Sequence, residues 1–86
     1  MEIEFTPQAL QEFEYWKNSG QQGIISKIKS LIESIIETPY QGIGKPEALK
    51  HNLWPKWSRR INKEHRLVYE VREGILYIFS LKGHYE

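Results

Sequence analysis

Hydrophobic positions near the N-terminus change their spacing after a few residues. In "MEIEF", glutamate alternates with Ile3 and Phe5, which predicts a short strand with one face to cover. Thr6 and Pro7 suit the N-cap and the first position of a helix, because proline lacks only an N–H that would be unpaired there. We expect this helix to end near Asn18, before "SGQQG". Its apolar positions recur at helical spacing: Leu10, Phe13 and Trp16.

A second helix is predicted from Ile24 onward. Its apolar positions recur with a period of about 3.6, and they are Ile25, Ile28, Leu31, Ile32, Ile35 and Ile36. Thr38 followed by Pro39 ends the helix, because a residue before proline disfavours the helical conformation. Such a stripe is typical of a helix that packs against a core.

The C-terminal half has the pattern of strands. Its segments "KWSRRIN", "RLVYEV" and "ILYIFSL" are rich in β-branched and aromatic residues, and "KEH" and "REG" separate them. The loop "PYQGIGKPE" joins them to the helices. We therefore predict one α+β domain over residues 1–86. It has a short N-terminal strand and two helices packed on one face of a mostly antiparallel sheet of about four or five strands.

Composition limits the possible locations and chemistries. The 86 residues include no cysteine, which excludes disulfides and thiolate chemistry and suits a reducing compartment. No apolar run is long enough for a membrane span, and no signal peptide is recognisable. We expect a cytoplasmic protein without a membrane partner.

Charge is distributed unevenly, although the net charge is only +1. Residues 1–44 carry three Lys and six Glu, whereas residues 45–72 carry eight Lys or Arg and three Glu. This separation favours a phosphate-bearing partner. The alternative is that the cations are the solvent-facing positions of a half-exposed sheet.

Several common kinds of site are excluded by the residues present. "GIGK" is not a nucleotide-binding loop, because Lys45 is followed by Pro46 instead of Ser or Thr. The three histidines lack the spacings of metal sites, and the chain contains no aspartate for a Ser-His-Asp triad.

A carboxylate, several cations and a histidine remain as candidate chemistry: Glu47, Lys50, Arg60, Arg66 and His84. Such a set suits attack of an RNA 2′-hydroxyl on its own 3′-phosphate, which needs a base, cations around the phosphoryl oxygens and an acid, but no cofactor. Histidine can serve as that acid because it titrates near neutral pH.

Each candidate also has a plain structural interpretation. Glu47 could cap a short helical turn, and Arg66 could pair with Glu64 or Glu70. Arg59 and Arg60 cannot both lie on one face of a regular strand. The same parity places His84 and Tyr85 on opposite faces, unless the strand twists.

The longer motifs identify a family. The run "TPYQGIGKPEALKHNL", then "WSRRINKEHRLVYEV" and a terminal "HY", resembles the YoeB toxins of bacterial toxin–antitoxin modules, within the RelE/ParE superfamily. The resemblance implies a RelE-like fold and a homodimer. It also implies a ribosome-dependent endoribonuclease that cuts mRNA in the decoding (A) site, arrests translation without a cofactor, and is held inactive by a YefM-like antitoxin.

The resemblance also implies roles for individual residues. Glu47 resembles the general base, His84 the general acid and Arg66 the group that stabilises the pentacovalent phosphate. The residues that support phosphate binding or place the RNA are Lys50, Arg59, Arg60 and Tyr85. One departure is Glu86, because the family pattern ends on the tyrosine.

Two other functions stay open at this point. One is a non-catalytic superfamily relative that poisons a protein such as DNA gyrase, although such relatives generally lack the combination of Glu, Arg and terminal His. The other is a plain RNA-binding or interaction module, in which Glu47 and His84 would have no role.

Overall fold

The computed structural model describes residues 1–83 and confirms the predicted α+β fold. Within this range the elements are β1 (Glu2–Phe5), α1 (Pro7–Asn18), α2 (Gln22–Glu37), β2 (Glu47–Ala48), β3 (Trp57–Arg60), β4 (Arg66–Arg72) and β5 (Ile75–Ser80). A single 3-10 turn at His51–Leu53 follows β2. Neither helix has the length and apolar character that crossing a membrane would require.

The five strands form one mixed sheet in the order β1-β5-β4-β3-β2. β1 runs parallel to β5, and all the other neighbours are antiparallel. The register places Glu47 opposite Ser58 and Arg60 opposite Arg66. Residues of β2, β3 and β4 that are far apart in sequence are therefore close together at one edge of the sheet.

Both helices cover one face of the sheet. Thr6 caps α1 by accepting a hydrogen bond from the Ala9 N–H at 3.1 Å, and it donates to the Phe79 carbonyl, also at 3.1 Å. At the other end of α1, the Trp16 indole N–H donates to the Leu81 carbonyl at 2.9 Å. These bonds fix α1 along β5.

The core lies between the helices and the sheet. The α2 stripe supplies four buried residues, which are Ile25, Ile28, Leu31 and Ile35. They pack against Leu67 and Tyr69 of β4 and Leu76 and Ile78 of β5. Burial of apolar surface is the dominant favourable term in folding, and this interface holds most of the fully buried apolar residues.

Two details of the helices were not evident from the apolar pattern. Leu10, one of the three apolar positions at helical spacing, is 51% exposed, whereas Ala9 is fully buried. The buried line of α1 runs through Ala9, Phe13 and Trp16, and Leu10 lies about 100° around the helix from Ala9. α2 begins at Gln22, two residues before the predicted start at Ile24. The prediction missed these residues because the first turn is polar and carries no apolar signal.

The loop between α2 and β2 approaches the core closely at Gly44. Gly44 has φ +83°, and a Cβ atom there would lie 2.6 Å from Leu31 Cδ2 and 3.2 Å from the Arg60 carbonyl oxygen. Its own carbonyl accepts a hydrogen bond from the Arg60 N–H at 2.6 Å. The loop is therefore seated directly on α2 and β3.

We expect Gly44→Ala to reduce the free energy of unfolding more than Gly74→Ala. Gly74 has a similar φ of +77° but open space around its Cα, so its substitution introduces only backbone strain of about 1–2 kcal/mol. Gly44→Ala adds overpacking of about 1–3 kcal/mol. Urea unfolding of both variants measures the difference, and equal losses would show that the loop yields without cost.

Candidate active site

A cavity of about 300 Å³ lies at the edge of the sheet where β2 and the following turn meet β3 and β4. Its polar or charged lining residues are Glu47, Lys50, His51, Ser58 and Arg66. Three of them, Glu47, Lys50 and Arg66, are candidates that the sequence singled out. The fold therefore brings a carboxylate and two cations to one cavity.

Glu47 and Arg66 form an ion pair in this cavity. Arg66 Nη1 lies 3.5 Å from Glu47 Oε1 and donates a hydrogen bond to Ser58 Oγ at 3.4 Å. Strand register explains the contact, because Ser58 pairs with Glu47 on one side and its strand pairs with β4 on the other. The suggested pairing of Arg66 with Glu64 or Glu70 is not observed, and Glu70 instead pairs with Arg72 at 3.4 Å.

The ion pair is open to solvent on the carboxylate side. The Glu47 side chain is 63% exposed, whereas that of Arg66 is 22% exposed. Glu47 lies in β2 and does not cap a helical turn; the short turn begins at His51. A ligand can therefore reach the carboxylate while the sheet holds the guanidinium in place.

Sequence reasoning missed two residues of this cavity. Ser58 is fully buried and holds Arg66, and His51 has φ +59° in the turn that follows Lys50. The only available signal for His51 was its position beside Lys50 in "LKHNL". Nothing in the sequence distinguished Ser58 from other strand serines.

The neighbouring arginines of β3 occupy opposite faces of the sheet. Arg60 is exposed and lies opposite Arg66 in the register, so it extends the positive charge next to the cavity. Arg59 is fully buried on the face that carries the helices. The assignment of Arg59 to phosphate binding was therefore wrong, because its side chain is not accessible to RNA.

Arg59 instead holds the α2–β2 loop. Its guanidinium Nη atoms donate to Ser34 Oγ at 2.7 Å and to the carbonyl oxygens of Thr38 at 2.7 Å, Gln41 at 2.7 Å and Ile43 at 3.2 Å. Thr38 is the C-cap of α2, so the cation lies at the negative end of the helix dipole. Among residues 1–83, no carboxylate forms an ion pair with Arg59.

Tyr69 completes this buried network. Its hydroxyl accepts from Arg59 Nε at 3.2 Å and donates to the Pro39 carbonyl at 2.6 Å. Burial raises the pKa of Tyr69, and the hydrogen bond from Arg59 opposes that rise. The phenol therefore stays protonated through the neutral pH range and keeps its bond to the loop.

Two further candidates, His84 and Tyr85, lie outside the described residues. Within residues 1–83, no group of three His, Cys, Asp or Glu side chains is arranged to hold a metal ion. The part of the candidate site that is described consists of a carboxylate beside a guanidinium, with Lys50 and Arg60 nearby. Chemically, this arrangement can accept a proton next to a bound phosphate.

Comparison with known proteins identifies the family of this chain. A sequence model described as "YoeB-like toxin of bacterial type II toxin-antitoxin system" matches residues 5–85. Toxin YoeB of Escherichia coli (strain K12) is 42% identical over 85 residues, which cover 99% of this chain and 100% of that protein. The chain belongs to the YoeB toxin family.

Solved structures of YoeB proteins have the same fold. The YoeB dimer from Staphylococcus aureus superposes with a TM-score of 0.91 at 44% identity, covering 99% of this chain and 98% of that one. YoeB in the heterotetrameric YoeB-YefM complex from the same organism gives a TM-score of 0.89 at 44% identity and the same coverage. The resemblance drawn from the sequence motifs is thereby confirmed, and the protein is a toxin of a toxin–antitoxin system.

Proposed function

We propose that this toxin is a metal-independent endoribonuclease that cleaves mRNA in the ribosomal A site and so inhibits translation. The observation that carries the proposal is the Glu47–Arg66 pair in a cavity that Lys50 also lines. A proton acceptor and a fixed cation within one cavity are two of the three groups that 2′-hydroxyl attack on a phosphate requires.

In the proposed reaction, Glu47 removes the proton of a ribose 2′-hydroxyl. The 2′-oxygen attacks the adjacent phosphorus, and Arg66 stabilises the charge that develops on the phosphoryl oxygens. The bond from phosphorus to the 5′-oxygen then breaks, and His84 protonates that oxygen, leaving a 2′,3′-cyclic phosphate. No metal or redox group takes part in this sequence of steps.

The supporting roles follow from position or from the family resemblance. Lys50 lines the cavity and Arg60 lies opposite Arg66, so both can hold phosphates of the bound strand. Tyr85 has the proposed role of placing the RNA, by stacking or hydrogen bonding. A ribosome would hold the mRNA so that the 2′-oxygen is in line with the bond that breaks.

The proposed partners are the ribosome with its mRNA and a cognate YefM-like antitoxin. The Staphylococcus aureus relatives, seen as a dimer and as a YoeB-YefM complex, support an antitoxin and a homodimer for this chain. An acidic segment that folds on binding would be attracted to the cations around Glu47. The proposed target lies in the cytoplasm.

The test is cleavage of a defined mRNA on purified ribosomes, with the 5′ ends of the products mapped at nucleotide resolution. We expect a cut inside the A-site codon that depends on both the toxin and the ribosome. If a folded, monodisperse protein makes no cut, the proposed activity is wrong. The target would then have to be sought among proteins, as for relatives that poison DNA gyrase.

A further inference from the structure

A second cavity of about 310 Å³ is lined in part by Arg60 but not by Glu47. Four of the residues that line it are cationic, and we call it the second basic cavity: Lys27, Lys45, Arg60 and Lys63. Gly44, Ile61 and Asn62 complete the lining, which includes no carboxylate. Four positive charges therefore surround one cavity on a protein whose net charge is only +1.

The fold holds these cations together from four separate segments. Lys27 belongs to α2, and the Arg60 N–H donates to the Gly44 carbonyl, which fixes the loop that carries Lys45 against β3. Lys63 lies in the turn between β3 and β4. In that turn, Asn62 Oδ1 accepts hydrogen bonds from the N–H groups of residues 64 and 65 at 2.9 and 2.8 Å.

Lys45 is held in an unfavourable backbone conformation. Its φ of +51° lies in the left-handed region, which glycine occupies readily but lysine rarely does. Such strain costs on the order of 1–3 kcal/mol and is concentrated at functional sites. The hydrogen bond from the Arg60 N–H to the Gly44 carbonyl anchors the residue immediately before Lys45.

None of the four cations is neutralised within the described part of the chain. The ion pairs among residues 1–83 are Glu14–Lys17, Glu47–Arg66 and Glu70–Arg72, and none of them includes a cation of the second basic cavity. Like charges around one cavity repel one another, and a bound polyanion would offset that repulsion.

We propose that the second basic cavity binds the phosphate backbone of the RNA strand that passes through the candidate active site. This inference rests on the proposed function and adds a second contact for the same ligand. Arg60 lines this cavity and is the register partner of Arg66, whose Cα lies only about 4.5–5.5 Å away. The two cavities are thus joined by adjacent arginines.

The lining favours RNA over an acidic protein segment. A peptide that folds on binding needs apolar contacts in addition to charge, but Ile61, the one apolar side chain of the lining, is 6% exposed. Lysines around a polar cavity can bind the regularly spaced phosphates of an RNA backbone, because each acts as a point charge. Such contacts do not depend on the base sequence.

The test compares two doubly substituted variants with equal loss of charge. Lys27→Gln/Lys63→Gln removes two cations of the second basic cavity, and Lys17→Gln/Lys29→Gln removes two exposed lysines of the helices outside it. Lys45 is left unchanged because its backbone conformation would complicate the comparison. Binding of a fluorescein-labelled single-stranded RNA is measured at several salt concentrations, with Glu47→Gln present in every protein to prevent cleavage.

We expect the cavity variant to lose about 0.7 from the slope of log affinity against log salt for each lysine removed. The ratio of the parent's affinity to that of the cavity variant should therefore fall about sevenfold as the salt concentration rises from about 50 to about 200 mM. The Lys17→Gln/Lys29→Gln control should keep the parent slope. Equal slopes for the two variants would overturn the inference.

Competition with poly-glutamate separates the two classes of ligand. If Lys27→Gln/Lys63→Gln weakens binding of poly-glutamate while the RNA slope stays unchanged, the cavity serves an acidic protein and the inference is wrong. We expect the RNA slope to change and the affinity for poly-glutamate to stay weak in all the proteins.

Cleavage on ribosomes, with Glu47 restored, distinguishes failure of this inference from failure of the proposed function. The cavity variant should need a higher toxin concentration for half-maximal cleavage, with an unchanged rate at saturation. Suppose that the parent protein cuts mRNA, and that the cavity variant has the parent's half-maximal concentration and salt slope. That result would overturn only the proposed role of the second basic cavity. A parent that binds RNA with the expected slopes but cuts nothing would overturn only the proposed activity.

Discussion

Glu47→Gln is expected to cleave mRNA on ribosomes about 10²- to 10⁴-fold more slowly than the parent protein. Glutamine has nearly the same shape and still offers an oxygen to Arg66 at the 3.5 Å contact, but it cannot take a proton from the 2′-hydroxyl. His84→Ala should cause a loss in the same range, because the leaving 5′-oxygen then lacks its acid. The measurement is the single-turnover rate at saturating toxin.

The matched control for Glu47→Gln is Glu14→Gln. Glu14 forms an exposed ion pair with Lys17 at 3.2 Å, so its substitution also removes one surface carboxylate from one ion pair. Exposed pairs contribute little to stability, so Glu14→Gln should unfold at the parent urea concentration. Glu47→Gln should unfold close to it, because glutamine keeps an oxygen facing Arg66. If Glu47→Gln cleaved as fast as Glu14→Gln, Glu47 would not be the base.

Arg59→Ala is expected to destabilise the protein by about 3–5 kcal/mol, because it removes five hydrogen bonds of about 1 kcal/mol each. This is a large part of the stability of a small domain. The bonds lost are those to three loop carbonyls, to Ser34 and to Tyr69. Of the three carbonyls, those of Thr38 and Gln41 each keep one other donor, from the Gln41 N–H and the Thr38 hydroxyl. Arg59→Lys should also lose stability, because an ammonium group cannot reproduce the fork of the guanidinium. Urea unfolding monitored by tryptophan fluorescence measures both variants.

Arg60→Ala is the matched control, since it removes the adjacent arginine from the exposed face. We expect Arg60→Ala to unfold close to the parent and to affect only RNA binding. If Arg59→Ala yields no folded protein, Ser34→Ala tests the same network by removing one acceptor, with an expected loss of about 1 kcal/mol. Equal unfolding midpoints for Arg59→Ala and Arg60→Ala would refute the structural role of Arg59.

Much of the fold could be predicted because local patterns determine it. The apolar stripe of α2 and the alternation in the strands each require one buried face, and the structure has both. The parallel pairing of β1 with β5 could not be predicted, since partner choice depends on contacts between residues more than seventy positions apart. The start of α2 was also misplaced, because its first turn carries no apolar signal.

The candidate site was only partly predictable. Parity indicated that Arg59 and Arg60 lie on opposite faces, but it could not indicate which of them is buried. That choice depends on Ser34, Thr38 and Tyr69, which reach Arg59 from other elements. Likewise, Arg66 pairs with Glu47 and not with a glutamate nearer in sequence, because the register of β2, β3 and β4 determines which side chains are its neighbours.

The pairing of β1 with β5 has a consequence for how the protein is made. β1 leaves the ribosome early, but its partner strand is made last in the sheet, with Glu2 opposite Ile75. The apolar stripe of α2 also stays unburied until β4 and β5 are made, because these strands supply the other side of the core. The nascent chain therefore exposes apolar surface until β5 emerges, and such surface is what chaperones bind.

Arg66 and Glu47 meet only once β4 has joined β3. We propose that the folded protein attacks translating ribosomes, but for most of its own synthesis the nascent chain has no assembled site. This order of assembly protects the ribosome that is making it.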